Sequence, residues 1–111
     1  MVKGEINGEI YNLYDLKQQL ATLDDDMELT INSPGGSVME GLEVINLIQK
    51  CDKKIKAIVE VQSSSIAAVI ALCCDSMEIK KTDFMVLHHC MTFAFVAPRL
   101  GCVDINHAEH E

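Results

Sequence analysis

Three short stretches carry residue types that could act together on a carbonyl group. They are the glycine pair in "INSPGG" (Ile31 to Gly36), the serine run in "QSSSI" (Gln62 to Ile66) and the histidine pair in "LHHC" (Leu87 to Cys90). A serine hydroxyl is a weak nucleophile until a base takes its proton, and imidazole is suited to that task near neutral pH. Glycine lets main-chain N–H groups approach a ligand without an obstructing Cβ, and such donors can hold a developing oxyanion. Each station also has a plain structural role open to it: a tight turn, a helix N-cap, a hydrogen-bonded strand residue. Strand alternation sends His88 and His89 to opposite faces, so at most one of them can share a pocket with a serine.

The elements that must position these residues follow from hydrophobic spacing. Val2 to Ile6 reads as a short strand. Ile10 opens a segment, "IYNLYDLKQQLATL", in which Leu13, Leu16, Leu20 and Leu23 recur at helical spacing until the acidic run Asp24 to Asp26. "MELTINS" is a strand with Leu29 and Ile31 on one face. After Pro-Gly-Gly, Val38, Leu42, Ile45 and Ile48 mark a second helix that stops near "KCDKK", where lysines suit the negative end of the helix dipole. Ile55 to Val61 is rich in β-branched residues and reads as a strand. "SSSIAAVIALCC" reads as a serine-capped, buried helix, and "SMEIKK" and "FMVLHHC" as two further strands. Strands alternating with helices over short links imply an α/β fold with a mostly parallel sheet. On this pattern residues 1–90 form the core domain, and residues 91–111 form an atypical tail, loosely attached.

Composition narrows the function classes. The chain has 111 residues, 49% hydrophobic and 23% charged, which suits one globular domain. A formal net charge of −8 disfavours nucleic acid, whose backbone is bound by clustered Lys and Arg. The longest apolar run, Ile66 to Cys74, falls far short of the ~20 residues needed to cross a bilayer. The opening "MVKGEINGEI" lacks a signal-peptide core, so the expected location is the cytoplasm, with no membrane association. The 5 cysteines match neither a zinc site nor a disulfide framework, and read as reduced thiols packed like small hydrophobes. No metal site or cofactor is expected.

Taken in order, the three stretches resemble the Clp protease proteolytic subunit family (ClpP) and its phage head-maturation relatives. In that family a strand ends in an "INSPGG" turn, a "Q-A-A-S-M" type segment carries the nucleophile, and a strand ending "M-I-H" carries the base. The matching stretches here are Ile31 to Gly36, Gln62 to Ile66 and Met85 to His88, and the resemblance spans roughly residues 4 to 90. It implies the ClpP/crotonase-like spiral of β-β-α units. It implies a serine peptidase in which Ser65 is the nucleophile, His88 rather than His89 the general base, and the N–H groups of Gly36 and Ile66 the oxyanion hole. Gly35 and Gly36 would let an extended peptide lie beside the strand edge. It further implies a peptide or protein substrate, a homo-oligomeric ring, and an unfoldase or phage capsid protein as partner.

The chain departs from the family after the histidine. The family's third catalytic residue is an aspartate well downstream, beyond a long helix. Asp104 is the only aspartate after His88, and it lies too near to correspond. No triad acid can be carried over, which makes the chain look truncated at its C-terminus. The alternative function is a catalytically impaired ClpP-fold structural or assembly subunit. A third is crotonase-type chemistry on an acyl thioester, since that superfamily shares the spiral fold.

Overall fold

Alternating apolar and polar residues build the sheet, and the computed structural model describes residues 1–80, 84–86 and 102–106 of the chain. The order is β1 (Val2–Asn7), α1 (Tyr14–Ala21), β2 (Met27–Ser33), α2 (Val38–Lys50), β3 (Ile55–Ser64), α3 (Ile66–Leu72), β4 (Ser76–Lys80), β5 (Phe84–Val86) and β6 (Cys102–Asn106). The sheet runs β1-β2-β3-β4-β6, with β5 also pairing β3, and each of these pairings is parallel. β3 is shared along its length: Lys56 to Val59 face β4, and Gln62 to Ser64 face β5. β6 falls within the stretch 91–111, where the sequence pattern assigns no element.

β2 shows the strict alternation expected of "MELTINS": Met27, Leu29, Ile31 and Ser33 are buried, while the residues between them are partly exposed. Met27, Leu29 and Ile31 join Ile55, Ala57 and Val59 of β3 and Met77 and Ile79 of β4 in one core. Every residue of α3 is buried, as its unbroken apolar sequence requires. Cys73 and Cys74 are buried beside it and take part in no disulfide among the described residues, and Cys51 is half-buried. No helix among the described residues is long and apolar enough to cross a membrane.

Two helices differ from the sequence reading. Helix α1 begins at Tyr14, not at Ile10, because the Ile10 main chain bridges to Gly36 and so cannot turn into a helix. Its start is marked instead by Asn12, whose Oδ1 accepts the Tyr14 N–H at 3.1 Å. In α2 the buried stripe is Gly41, Val44, Ile45 and Ile48, whereas Val38 and Leu42 are 51% and 37% exposed. The rotation has a steric cause. Gly41 packs so tightly on α3 that an ideal Cβ there would lie 2.3 Å from Ile66 Cγ1.

A charged clamp joins the first two helices. Glu40 Oε2 accepts the Leu13 N–H and pairs with Lys17 Nζ, each at 2.8 Å, and Lys17 also reaches Glu43 Oε1 at 2.7 Å. The hydrogen bond from Lys17, helped by that from Leu13, holds the Glu40 carboxyl below its ordinary value of 4.5.

Two outcomes follow for stability. Gly41→Ala should lower the denaturation midpoint by the equivalent of about 1 to 2 kcal/mol, because overpacking against Ile66 outweighs a helix-propensity gain of just under about 1 kcal/mol. In acid, the unfolded chain takes up a proton at Glu40 at higher pH than the folded chain does. The clamp's contribution is therefore present above about pH 4.5 and lost as the pH falls through the lowered folded value. A pH series of urea melts should show this loss in the wild type and a shallower one in Glu40→Gln.

Candidate active site

The serine run divides at the end of β3. Ser63 and Ser64 are strand residues, and Ser65 occupies the turn into α3. The side chain of Ser63 is fully buried, and its hydroxyl has no hydrogen-bond partner among the described residues. Ser64 Oγ reaches Gln62 Oε1 at 3.4 Å. Ser65 stands where an N-cap would, and its carbonyl accepts the Ala68 N–H at 3.0 Å to start the helix. Its hydroxyl, however, makes no capping bond. The capped helix read from the sequence is thus corrected: α3 starts without a side-chain cap.

The backbone of Ser65 explains why. At φ 59 and ψ −130 it lies in a region that residues with a Cβ rarely enter, at a strain of about 1 to 3 kcal/mol. A normal N-cap is extended, and its side chain folds back over the first turn. Here the reversal of the chain points Ser65 away from that arrangement. The sharp strand-to-helix turn is the form in which a nucleophilic serine is displayed in α/β hydrolytic enzymes.

Ser65 and the glycine turn meet. An ideal Cβ on Gly35 would lie 2.8 Å from Ser65 Cβ, 2.9 Å from the Ser64 carbonyl oxygen and 3.4 Å from Ser65 Oγ. Only glycine fits, and with φ at 106° the backbone independently favours it. Ser33, buried at the end of β2, fixes the turn from within: its Oγ accepts the Gly35 N–H at 3.1 Å. Gly36 follows with φ at 145°, and an ideal Cβ there would sit 2.2 Å from the Ile10 carbonyl oxygen.

A register break brings Gly35 and Ser65 opposite each other. Low in the sheet Ile31 pairs with Val59, but at the top Ser33 pairs with Ser63, so β3 carries two extra residues over this interval. Continued straight, the lower register would set Ser63 beside Gly35. The extra residues set Ser65 there instead. The bulge passes through Val61, a β-branched residue held at φ 69 with its side chain 56% exposed. Nothing in the sequence marks Val61, since valine in a β-rich run gives no hint of a left-handed backbone.

Ile66 opens α3 with its side chain buried against Gly41. Its N–H and that of Gly36 have no acceptor among the described residues. His88 and His89 lie outside the described residues. What is described is the strand that leads to them: Val86, the last residue of β5, pairs in parallel with Ser64. Among the described residues no group of three His, Cys, Asp or Glu side chains could hold a metal ion. A surface hollow lined by Glu5, Asn7, Asn12, Tyr14 and Asp15 includes none of the site residues.

Comparisons with known proteins agree with this architecture. A family model described as Clp protease matches residues 1–98. The ATP-dependent Clp protease proteolytic subunit of Ligilactobacillus salivarius (strain UCC118) is 36% identical over 76 residues, covering 64% of this chain and 38% of that protein. Among solved structures, the ClpP protease catalytic domain from Plasmodium falciparum aligns with a TM-score of 0.65 at 26% identity, over 78% of this chain and 53% of that one. A mutant of ClpP1 from Listeria monocytogenes aligns with a TM-score of 0.68 at 22% identity, over 86% and 61% of the two chains. The chain therefore spans less than two thirds of each of these relatives, from 38% to 61% of their length.

The strain at the bulge can be measured. Val61→Gly removes about 1 to 2 kcal/mol of left-handed strain and costs about 0.5 to 1 kcal/mol in added unfolded-chain freedom, so it should raise stability by up to about 1.5 kcal/mol. Chemical denaturation at an unchanged m-value checks this, and a loss of stability would show that the Val61 backbone is not strained.

Proposed function

The chain belongs to the Clp protease family, and on that premise we propose that it is a serine peptidase acting by acyl transfer, with Ser65 as nucleophile and His88 as general base. The observation that carries this reading is the backbone of Ser65. A strained turn, packed against Gly35, holds a hydroxyl that does no capping. Strain of this kind persists where the surrounding structure enforces it, and it gathers at reactive positions.

In the proposed reaction, His88 takes the proton of Ser65 Oγ as the oxygen attacks a peptide carbonyl. The tetrahedral oxyanion accepts hydrogen bonds from the Gly36 and Ile66 N–H groups, each contributing roughly 3 kcal/mol to the transition state in enzymes built this way. Collapse breaks the C–N bond, and His88 returns the proton to the leaving amine. Water, activated by the same imidazole, then hydrolyses the ester and regenerates the hydroxyl. The register of β5 supports a base from this strand: Val86 pairs with Ser64, and these two residues stand two before His88 and one before Ser65 in the sequence. An extended peptide substrate lying along Gly35 and Gly36 fits the open side of that turn.

The protein is further proposed to work in the cytoplasm as a homo-oligomeric ring on peptides or protein segments. An unfoldase or a phage capsid protein would be its partner. Val38, Met39 and Leu42 form exposed apolar surface on α2, of the kind that subunit assembly covers.

A fluorophosphonate probe tests the chemistry, since attack by an activated serine forms a P–O bond and expels fluoride. Labelling should map to Ser65, vanish in Ser65→Ala, and fall at least about a thousandfold in rate in His88→Ala. Absence of labelling from pH 5 to pH 9 would leave a ClpP-fold assembly subunit without turnover as the better reading.

A further inference from the structure

The sequence "SVME" at the start of α2 has the form of a capping box, in which a serine hydroxyl and a glutamate three residues later each satisfy the other's main-chain N–H. Only half of the box is built. Ser37 Oγ accepts the Glu40 N–H at 3.1 Å. The reciprocal bond is not made, because the Ser37 N–H is already given to the Ile10 carbonyl at 2.7 Å. The Glu40 carboxylate, only 15% exposed, turns instead to the Leu13 N–H and to Lys17.

Ile10, three residues before Leu13, holds both peptide groups that flank the Gly36 Cα. Its N–H donates to the Gly35 carbonyl at 2.8 Å, and its carbonyl accepts the Ser37 N–H. The Gly35 carbonyl and the Gly36 N–H belong to one trans peptide, so they point in opposite directions. Fixing the carbonyl on Ile10 therefore aims the Gly36 N–H away from Ile10. That N–H is the proposed oxyanion donor, and the orientation of such a donor decides its value.

We infer that Glu40 is a positioning residue for the oxyanion hole: by anchoring Leu13 it holds the segment Ile10 to Leu13, and through Ile10 it sets the direction of the Gly36 N–H. This rests on the peptidase reading for its catalytic consequence, but not for its structural one. Lys17 completes the anchor from α1, and Glu43 shares only Lys17. Truncating Glu40 leaves the Leu13 N–H without its acceptor and lets the segment shift, which rotates the peptide between Gly35 and Gly36.

The test uses the full chain and two readouts. In Glu40→Ala, the rate of Ser65 inactivation by the fluorophosphonate at saturation should fall about 10- to 100-fold, with the probe's half-saturating concentration within about twofold of wild type. Glu40→Gln, whose amide oxygen can still accept the Leu13 N–H, should recover most of that rate, and Glu43→Gln should retain all of it. Independently, the amide resonances of Gly36 and Ser37 should move in Glu40→Ala, and exchange of the Ser37 N–H should quicken, while both stay near wild type in Glu40→Gln. If Glu40→Ala does not fold, Glu40→Asp, too short to span to Leu13, serves in its place. Unmoved amides, or a rate within twofold of wild type, would overturn the inference. If wild type does not react at all, moved amides still uphold the positioning role, and the peptidase reading alone fails.

Discussion

Where β2 and β3 end, an ideal Cβ on Gly35 would stand 2.8 Å from the Cβ of Ser65 and 2.9 Å from the Ser64 carbonyl oxygen. Two strand ends have been brought closer than any pair of ordinary residues permits. The rest of the candidate site depends on that approach. Glycine must occupy the turn because nothing larger fits, and Ser65 must reverse its backbone because a helix has to start immediately beyond the contact. The strain belongs to the junction rather than to the serine, since any residue other than glycine would bear it there.

Such an approach needs support on both sides, and the fold supplies it in layers. On the β2 side, Ser33 holds the Gly35 N–H and Ile10 holds the peptides around Gly36. On the β3 side, the bulge at Val61 advances the register by two residues, and α3 is locked down by Ile66 against Gly41. Little of this involves charge. Among the described residues the Glu40–Lys17 clamp is a charged feature joined to this region, and it acts through the main-chain hydrogen bond from Leu13. In the proposed reaction the oxyanion is met by main-chain N–H donors, which are neutral and need little reorganisation when charge appears.

The α/β class and its parallel sheet were legible because they rest on local chemistry, whereas the ClpP fold was reached through the resemblance of three motifs. "MELTINS" alternates and β2 is the strand it describes, from Met27 to Ser33. "IAAVIAL" is apolar throughout, and α3 is buried throughout. The departures arose where neighbours overruled periodicity. Ile10 satisfies helical spacing with Leu13 and Leu16, yet its main chain is claimed by Gly36. Val38, Leu42, Ile45 and Ile48 satisfy it in α2, yet with Gly41 packed on Ile66 only Ile45 and Ile48 of these are buried. In the candidate site, Gly35 and Gly36 could be read as a permissive turn from their types, while Ser65 and Ile66 were singled out only by the resemblance to the ClpP family. The bulge that unites two of them could not be read either way, because a valine with positive φ leaves no mark in a sequence.

The division has a physical basis. The sequence by itself determined which segments become strands and helices, where the permissive glycines stand and which hydroxyls lie at the junction, since all of these depend on residues within a few positions of one another. Only the tertiary structure decided which of three consecutive serines faces Gly35, that its hydroxyl is not used as a cap, and that Glu40 ties to Leu13 rather than to Ser37. Those choices are made by register and by close contact between segments more than twenty residues apart, where a shift of one residue would move every group to another face.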